Sequence, residues 1–69
     1  MTKLEKIIAL IKAMKETNET CEKAMADIGS YANAAEYHVV AREYGYIVYI
    51  LSNEDVFKDL CKVYLKKDK

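Results

Sequence analysis

The chain has 69 residues, of which 52% are hydrophobic, and its eleven basic residues are balanced by eleven acidic ones. This length predicts a single domain over residues 1–69. A domain so small buries only ~60% of its unfolded surface, so its core needs a supplement. The balanced charge lacks the positive excess typical of nucleic-acid-binding proteins, so a nucleic-acid partner is not expected.

Nothing in the sequence predicts a membrane segment. The longest apolar run, residues 44–51, is far shorter than the ~18 residues of a membrane-spanning helix. Near the N-terminus, Lys12 interrupts the apolar residues and no cleavage pattern follows, so a signal peptide is not indicated. We therefore expect a cytoplasmic protein with no membrane partner.

The cysteine and histidine content leaves one supplement for the small core. Cys21 and Cys61 are too few and too far apart for a disulfide scaffold, so two reduced thiols are expected, with a single bridge as the alternative. His38 is the only histidine, so a zinc site is not predicted, and neither is any other cofactor. Oligomerisation is therefore the predicted source of additional stability.

The first predicted helix spans residues 3–28. Thr2, followed three residues later by Glu5, is a capping box. Apolar residues then follow with the spacing of an amphipathic helix: Leu4, Ile7, Ile11 and Met14. This phase continues through Asn18, although residues 17–20 include poor helix formers. Asn18 is therefore either a buried polar residue that sets the register of a coiled coil or an exposed residue at a break, which would give a fourth helix.

Gly29 and Ser30 mark the joint to the second predicted helix, residues 31–51, because glycine suits the position after a helix and serine caps the next one. This helix carries five of the six tyrosines and is apolar on nearly every side. Such an element must be covered all round, so we expect either the buried spine of the domain or a self-association surface. Residues 46–51 are β-branched and aromatic, and a strand that pairs with another copy is the alternative there.

Ser52 or Asn53 caps the third predicted helix, residues 53–67, which has acidic residues in its first turn. Its apolar residues recur with helical period: Val56, Phe57, Leu60, Val63 and Tyr64. We expect this helix to fold back on the second one. The predicted fold is therefore all-α, a small bundle of three helices, or four, that forms a homodimer or a higher oligomer.

The candidate binding residues all lie in the second helix: Tyr37, His38, Arg42, Tyr44, Tyr46 and Tyr49. No glycine-rich phosphate loop, G-x-S-x-G turn or H-E-x-x-H helix occurs, so enzymatic activity is not expected. Tyrosine and arginine are favoured at the centres of protein interfaces. The first hypothesis is therefore a small regulator, inhibitor or adaptor that binds another protein, of the kind encoded by viruses and mobile elements as accessory proteins.

Two further hypotheses come from other classes. An oligomer could hold a small anionic ligand, such as a nucleotide, between its subunits around His38 and Arg42. Arginine offers a planar fork to an anion, and tyrosines offer stacking faces. A DNA-binding transcriptional regulator is the third hypothesis, and the balanced charge disfavours it.

Overall fold

The computed structural model describes residues 1–65, which form three α-helices: α1 (Lys3–Asp27), α2 (Tyr31–Ser52) and α3 (Glu54–Tyr64). No strand occurs among the described residues, so the all-α prediction is confirmed and the strand alternative for residues 46–51 is wrong. α1 packs along α2 as a helical hairpin. Cα atoms of α3 lie within 8 Å of Cα atoms in α2 and of none in α1, although Leu4 of α1 and Phe57 of α3 line a common pocket. The bundle prediction therefore holds for α1 and α2 only.

α1 begins with the predicted capping box. The backbone N–H of Thr2 donates to Oε1 of Glu5 at 2.8 Å, and the backbone N–H of Glu5 donates to Oγ1 of Thr2 at 3.1 Å. Two of the N–H groups that a helix leaves unpaired at its start are thereby satisfied.

α1 continues without a break through residues 17–20, so the fourth helix is not formed. Thr17, Asn18 and Thr20 each donate a side-chain hydrogen bond to the carbonyl oxygen four residues earlier, at 3.0, 2.8 and 3.1 Å respectively. A polar side chain that hydrogen-bonds to a carbonyl oxygen of its own helix is satisfied while the backbone stays helical. This explains why poor helix formers are accommodated here.

The turn between α1 and α2 is a Schellman motif built on Gly29. Gly29 adopts φ +79°, a left-handed conformation that other residues adopt only with strain. Its N–H donates to the carbonyl of Ala26 at 3.0 Å, and the N–H of Ser30 donates to that of Met25 at 2.8 Å. Ser30 occupies the predicted N-cap position of α2, but its hydroxyl accepts from the side chain of Asn33 and makes no cap bond to the backbone.

A single residue, Asn53, joins α2 to α3. It ends α2 and caps α3, where its Oδ1 accepts from the N–H of Val56 at 3.4 Å. The helix predicted to reach residue 67 ends at Tyr64, with Leu65 as its C-cap, and residues 66–67 lie outside the described residues. Val63, Tyr64 and Leu65 are all exposed.

The contact between α1 and α2, here called the seam, is thin. Among residues 1–65 only Ala34 and Ala41 are buried, with 8% and 4% of their surface exposed. Ile7 and Met14, predicted to face the core, are exposed, while Lys15 is half-buried. α1 is therefore rotated about its axis relative to the prediction, so that Lys15 faces α2. The small residues of α2 opposite Lys15 leave room for the aliphatic part of that side chain. Cys21 and Cys61 are free and half-buried, as predicted.

The molecule is elongated and has a large surface for its length. Its extents are 51 × 30 × 16 Å and its radius of gyration is 15.5 Å, against ~11 Å for a compact domain of this length. Its accessible surface is 5565 Å², which exceeds the ~4,400 Å² of a compact monomer of this size by ~1,100 Å². One chain therefore does not bury α2 as a spine.

The two glycines should respond in opposite ways to substitution by alanine. At Gly45, inside α2, a Cβ would lie 3.1 Å from Cε of Lys15, a flexible group that can shift, so Gly45→Ala should stabilise the protein by up to ~1 kcal/mol through helix propensity. At Gly29 nothing lies within 4 Å, but the positive φ should make Gly29→Ala destabilising by ~1 kcal/mol. Thermal denaturation followed by circular dichroism measures both, and a lower Tm for Gly45→Ala would show that Lys15 is fixed in place.

Candidate functional site

One edge of the seam carries charged residues from both helices. Lys15, Glu19 and Glu22 of α1 and His38 and Arg42 of α2 line a cleft of about 230 Å³. Nδ1 of His38 lies 3.2 Å from Oε2 of Glu22, and the ammonium of Lys15 contacts the carboxylate of Glu19. We call this edge of the hairpin the charged side, and its formal charges cancel.

The opposite edge of the seam is apolar, and we call it the apolar side. Its exposed residues come from both helices: Ile7, Leu10 and Met14 of α1, and Val40 and Ile47 of α2. Each helical residue is rotated by about 100° from the previous one. On each helix, this rotation places the apolar residues on the opposite edge of the seam from the residues that line the charged cleft. The charged residues that line the cleft lie on one side of the hairpin, and these apolar residues share the other, where Glu36 and Glu43 border Val40 and Ile47 on α2.

A third surface of α2 faces away from the apolar side. Tyr31, Tyr46 and Tyr49 are exposed by 71%, 54% and 52%, and the helical rotation of about 100° per residue places them within one arc of α2 together with Arg42. We call these four residues the tyrosine stripe. No carboxylate of residues 1–65 lies within 4.0 Å of the Arg42 guanidinium.

The six candidate residues therefore divide between two faces of α2. His38, Arg42, Tyr46 and Tyr49 lie on the tyrosine stripe or at its border with the charged side. Tyr37 and Tyr44 are half-buried, and their positions on the helix place them at the seam, toward the apolar side. His38 and Arg42 therefore lie on the same side of α2, as the ligand hypothesis requires, whereas Tyr44 lies on another side.

Sequence reasoning did not identify the contribution of α1 to these surfaces. The apolar spacing of α1 predicts Ile7 and Met14 in the core and gives no role to Glu19 or Glu22. A signal was present, because Ile8 and Leu10 widen the apolar stripe of α1 beyond what contact with a single helix covers.

The electrostatics of the charged side do not favour an anion. The carboxylates of Glu19 and Glu22 line the same cleft as Arg42, and His38 is already paired with Glu22. The cleft, at about 230 Å³, is also smaller than the ~300–1,000 Å³ of typical small-molecule sites. Within residues 1–65, no three histidine, cysteine, aspartate or glutamate side chains are grouped as metal ligands would be.

Comparison of the chain with protein-family models, with curated proteins and with solved structures gives no match. None of the helices in residues 1–65 is long and apolar enough to cross a membrane.

Nucleotides should leave the thermal stability of the protein unchanged. A ligand present at 1,000 times its Kd stabilises the native state by ~4 kcal/mol, so millimolar ATP would raise Tm visibly if a micromolar site existed. A dose-dependent rise that Arg42→Gln abolishes and Lys58→Gln retains would instead assign an anion site to the charged side.

Proposed function

We propose that the chain is a small non-enzymatic interaction protein, a regulator, inhibitor or adaptor, that self-associates through its apolar side and binds a different protein through its tyrosine stripe. The observation that carries this proposal is the contrast between composition and burial. The chain is 52% hydrophobic, yet residues 1–65 bury only two alanines. A protein that cannot cover its own apolar surface must cover it with other protein or aggregate.

The amount of uncovered surface supports self-association. The surface in excess of a compact monomer, ~1,100 Å², is larger than the ~800 Å² that each partner contributes to a standard protein interface. The apolar side is formed by residues of both helices and is bordered on α2 by Glu36 and Glu43. A second copy that packs on this side of each chain would bury the exposed residues of both.

The tyrosine stripe supports a different partner. Tyrosine and arginine are enriched among the residues that dominate binding energy, and aromatic rings with a polar tip suit surfaces that alternate between wet and bound states. Arg42, within 4.0 Å of no carboxylate of residues 1–65, offers several N–H donors in a planar fork. The partner protein should therefore present hydrogen-bond acceptors among apolar groups.

Self-association is tested by light scattering on a size-exclusion column at several concentrations. We expect a dimer or a larger assembly, and Ile47→Ala on the apolar side should raise its Kd at least ~5-fold, the effect of losing a significant interface contact. Val39→Ala, an equally apolar substitution on the face of α2 away from the seam, is the matched control and should leave Kd unchanged. A monomer at every concentration would contradict self-association.

The tyrosine stripe is tested by affinity capture from an extract of the source cells. Tyr46→Ala with Tyr49→Ala should remove the proteins that the wild-type chain retains, because both rings are exposed and available as interface anchors. The double variant should keep the mass of the wild-type assembly in light scattering. Retention of the same proteins by the double variant would exclude the stripe as the binding surface.

A further inference from the structure

α3 is an amphipathic helix whose apolar stripe is largely uncovered. Val56 and Leu60 are half-buried, while Phe57, Val63 and Tyr64 are exposed, Tyr64 by 74%. α3 has 11 residues, fewer than the ~12–15 at which even good helix-forming peptides become marginally stable in water. A helix of this length needs a surface on which to pack, and no Cα atom of α1 lies within 8 Å of one in α3, although Leu4 and Phe57 line a common pocket.

The chain also has an uncovered apolar surface that suits the packing of a helix such as α3. In a three-helix bundle the third helix lies in the groove between the first two, and the apolar side is such a groove. It is not filled in this chain, because Leu10 is 61% exposed and Ile47 39%. α3 therefore does not occupy the apolar side of its own chain.

The joint between α2 and α3 explains why. Helices that fold back on each other in bundles are joined by ~2–8 residues, whereas Asn53 alone separates Ser52 from Glu54. Asn53 is extended, with φ −126° and ψ 101°, so the chain changes direction between α2 and α3. A short hinge of this kind favours the exchange of an element between two copies, because the element reaches a partner more easily than its own chain.

We propose that α3 of each chain packs on the apolar side of a second copy, so that two chains exchange their third helices. This inference rests on the self-association proposed above and specifies which surfaces meet. Each half of the dimer is then a three-helix bundle in which Phe57, Val63 and Tyr64 of one chain cover Ile7, Met14 and Ile47 of the other. The ~1,100 Å² of excess surface per chain is enough for this contact, since a standard interface takes ~800 Å² from each partner.

Complementation between two variants tests the exchange in the full-length protein. Ile47→Lys disables the apolar side, and Val63→Lys with Tyr64→Lys disables α3, where lysines near the helix C-terminus preserve the helix itself. Both variants use lysine, so the two altered surfaces cannot pair by charge. Each variant alone should lose the dimer, with Kd raised at least ~100-fold, because a lysine in an apolar contact loses its hydration.

An equimolar mixture of the two variants should recover dimers in light scattering. The intact α3 of the Ile47→Lys chain can pack on the intact apolar side of the other chain, which restores one of the two exchanged contacts. Glu16→Lys, a substitution on the polar edge of α1, is the control and should leave the wild-type dimer unchanged. Circular dichroism of each variant shows whether its helices are retained.

The outcomes separate this inference from the proposed function. If the α3 variant remains a dimer while Ile47→Lys becomes a monomer, the hairpins associate without exchange, so the inference is wrong and self-association stands. A mixture that stays monomeric although both variants are helical also overturns the exchange. Wild-type protein that is monomeric at every concentration overturns both.

A change in the hinge tests the same inference without altering either surface. Insertion of about four glycine and serine residues after Asn53 gives the joint the length at which helices fold back. α3 should then pack on its own chain, and the dimer should become a helical monomer. A dimer that is unaffected by the insertion would contradict the exchange.

Discussion

A helix that is apolar on every side is covered only when it has neighbours on every side, and within one chain α2 has a single neighbour along its length. α1 meets one face of α2, and α3 is held away from the rest by a joint of one residue, Asn53. The remaining apolar surface of α2 is therefore open to solvent in the isolated chain. The elongated shape, the scarcity of buried residues and the exposed tyrosines all follow from this constraint.

The seam itself contributes modest stability. Ala34 and Ala41 allow the two helices to approach closely, but small side chains bury little apolar area, and hydrophobic stabilisation is proportional to that area at ~25 cal/mol per Å². Lys15 and Asn18 occupy further half-buried positions along α1. Fixing the backbone opposes folding by ~1–2 kcal/mol per residue. Contacts beyond the hairpin are accordingly expected to supply part of the stability of the native state, which links folding to protein concentration.

Local chemistry was readable from the sequence, whereas the arrangement of helices was not. Thr2, Gly29 and Asn53 fix the helix boundaries through interactions within a few residues, so their roles follow from residue type. The position of α3 depends on the length of a joint and on contacts over long distances, and its apolar stripe is equally consistent with packing in the same chain or another. The rotation of α1 that brings Lys15 to the seam depends on the small size of the facing residues of α2. Apolar periodicity within α1 carries no information on the size of those residues.

The opposed positions of the apolar side and the tyrosine stripe have a consequence for binding. In the proposed dimer the exchanged helices cover the apolar side, while Tyr31, Tyr46 and Tyr49 stay on the outer surface of α2. Each dimer then presents two identical stripes at a fixed separation. When a target also carries two sites, or is itself a dimer, the second contact forms at a high effective concentration and strengthens binding without any new residue. Self-association would thus both cover the apolar surface of a very small chain and make its other surface bivalent.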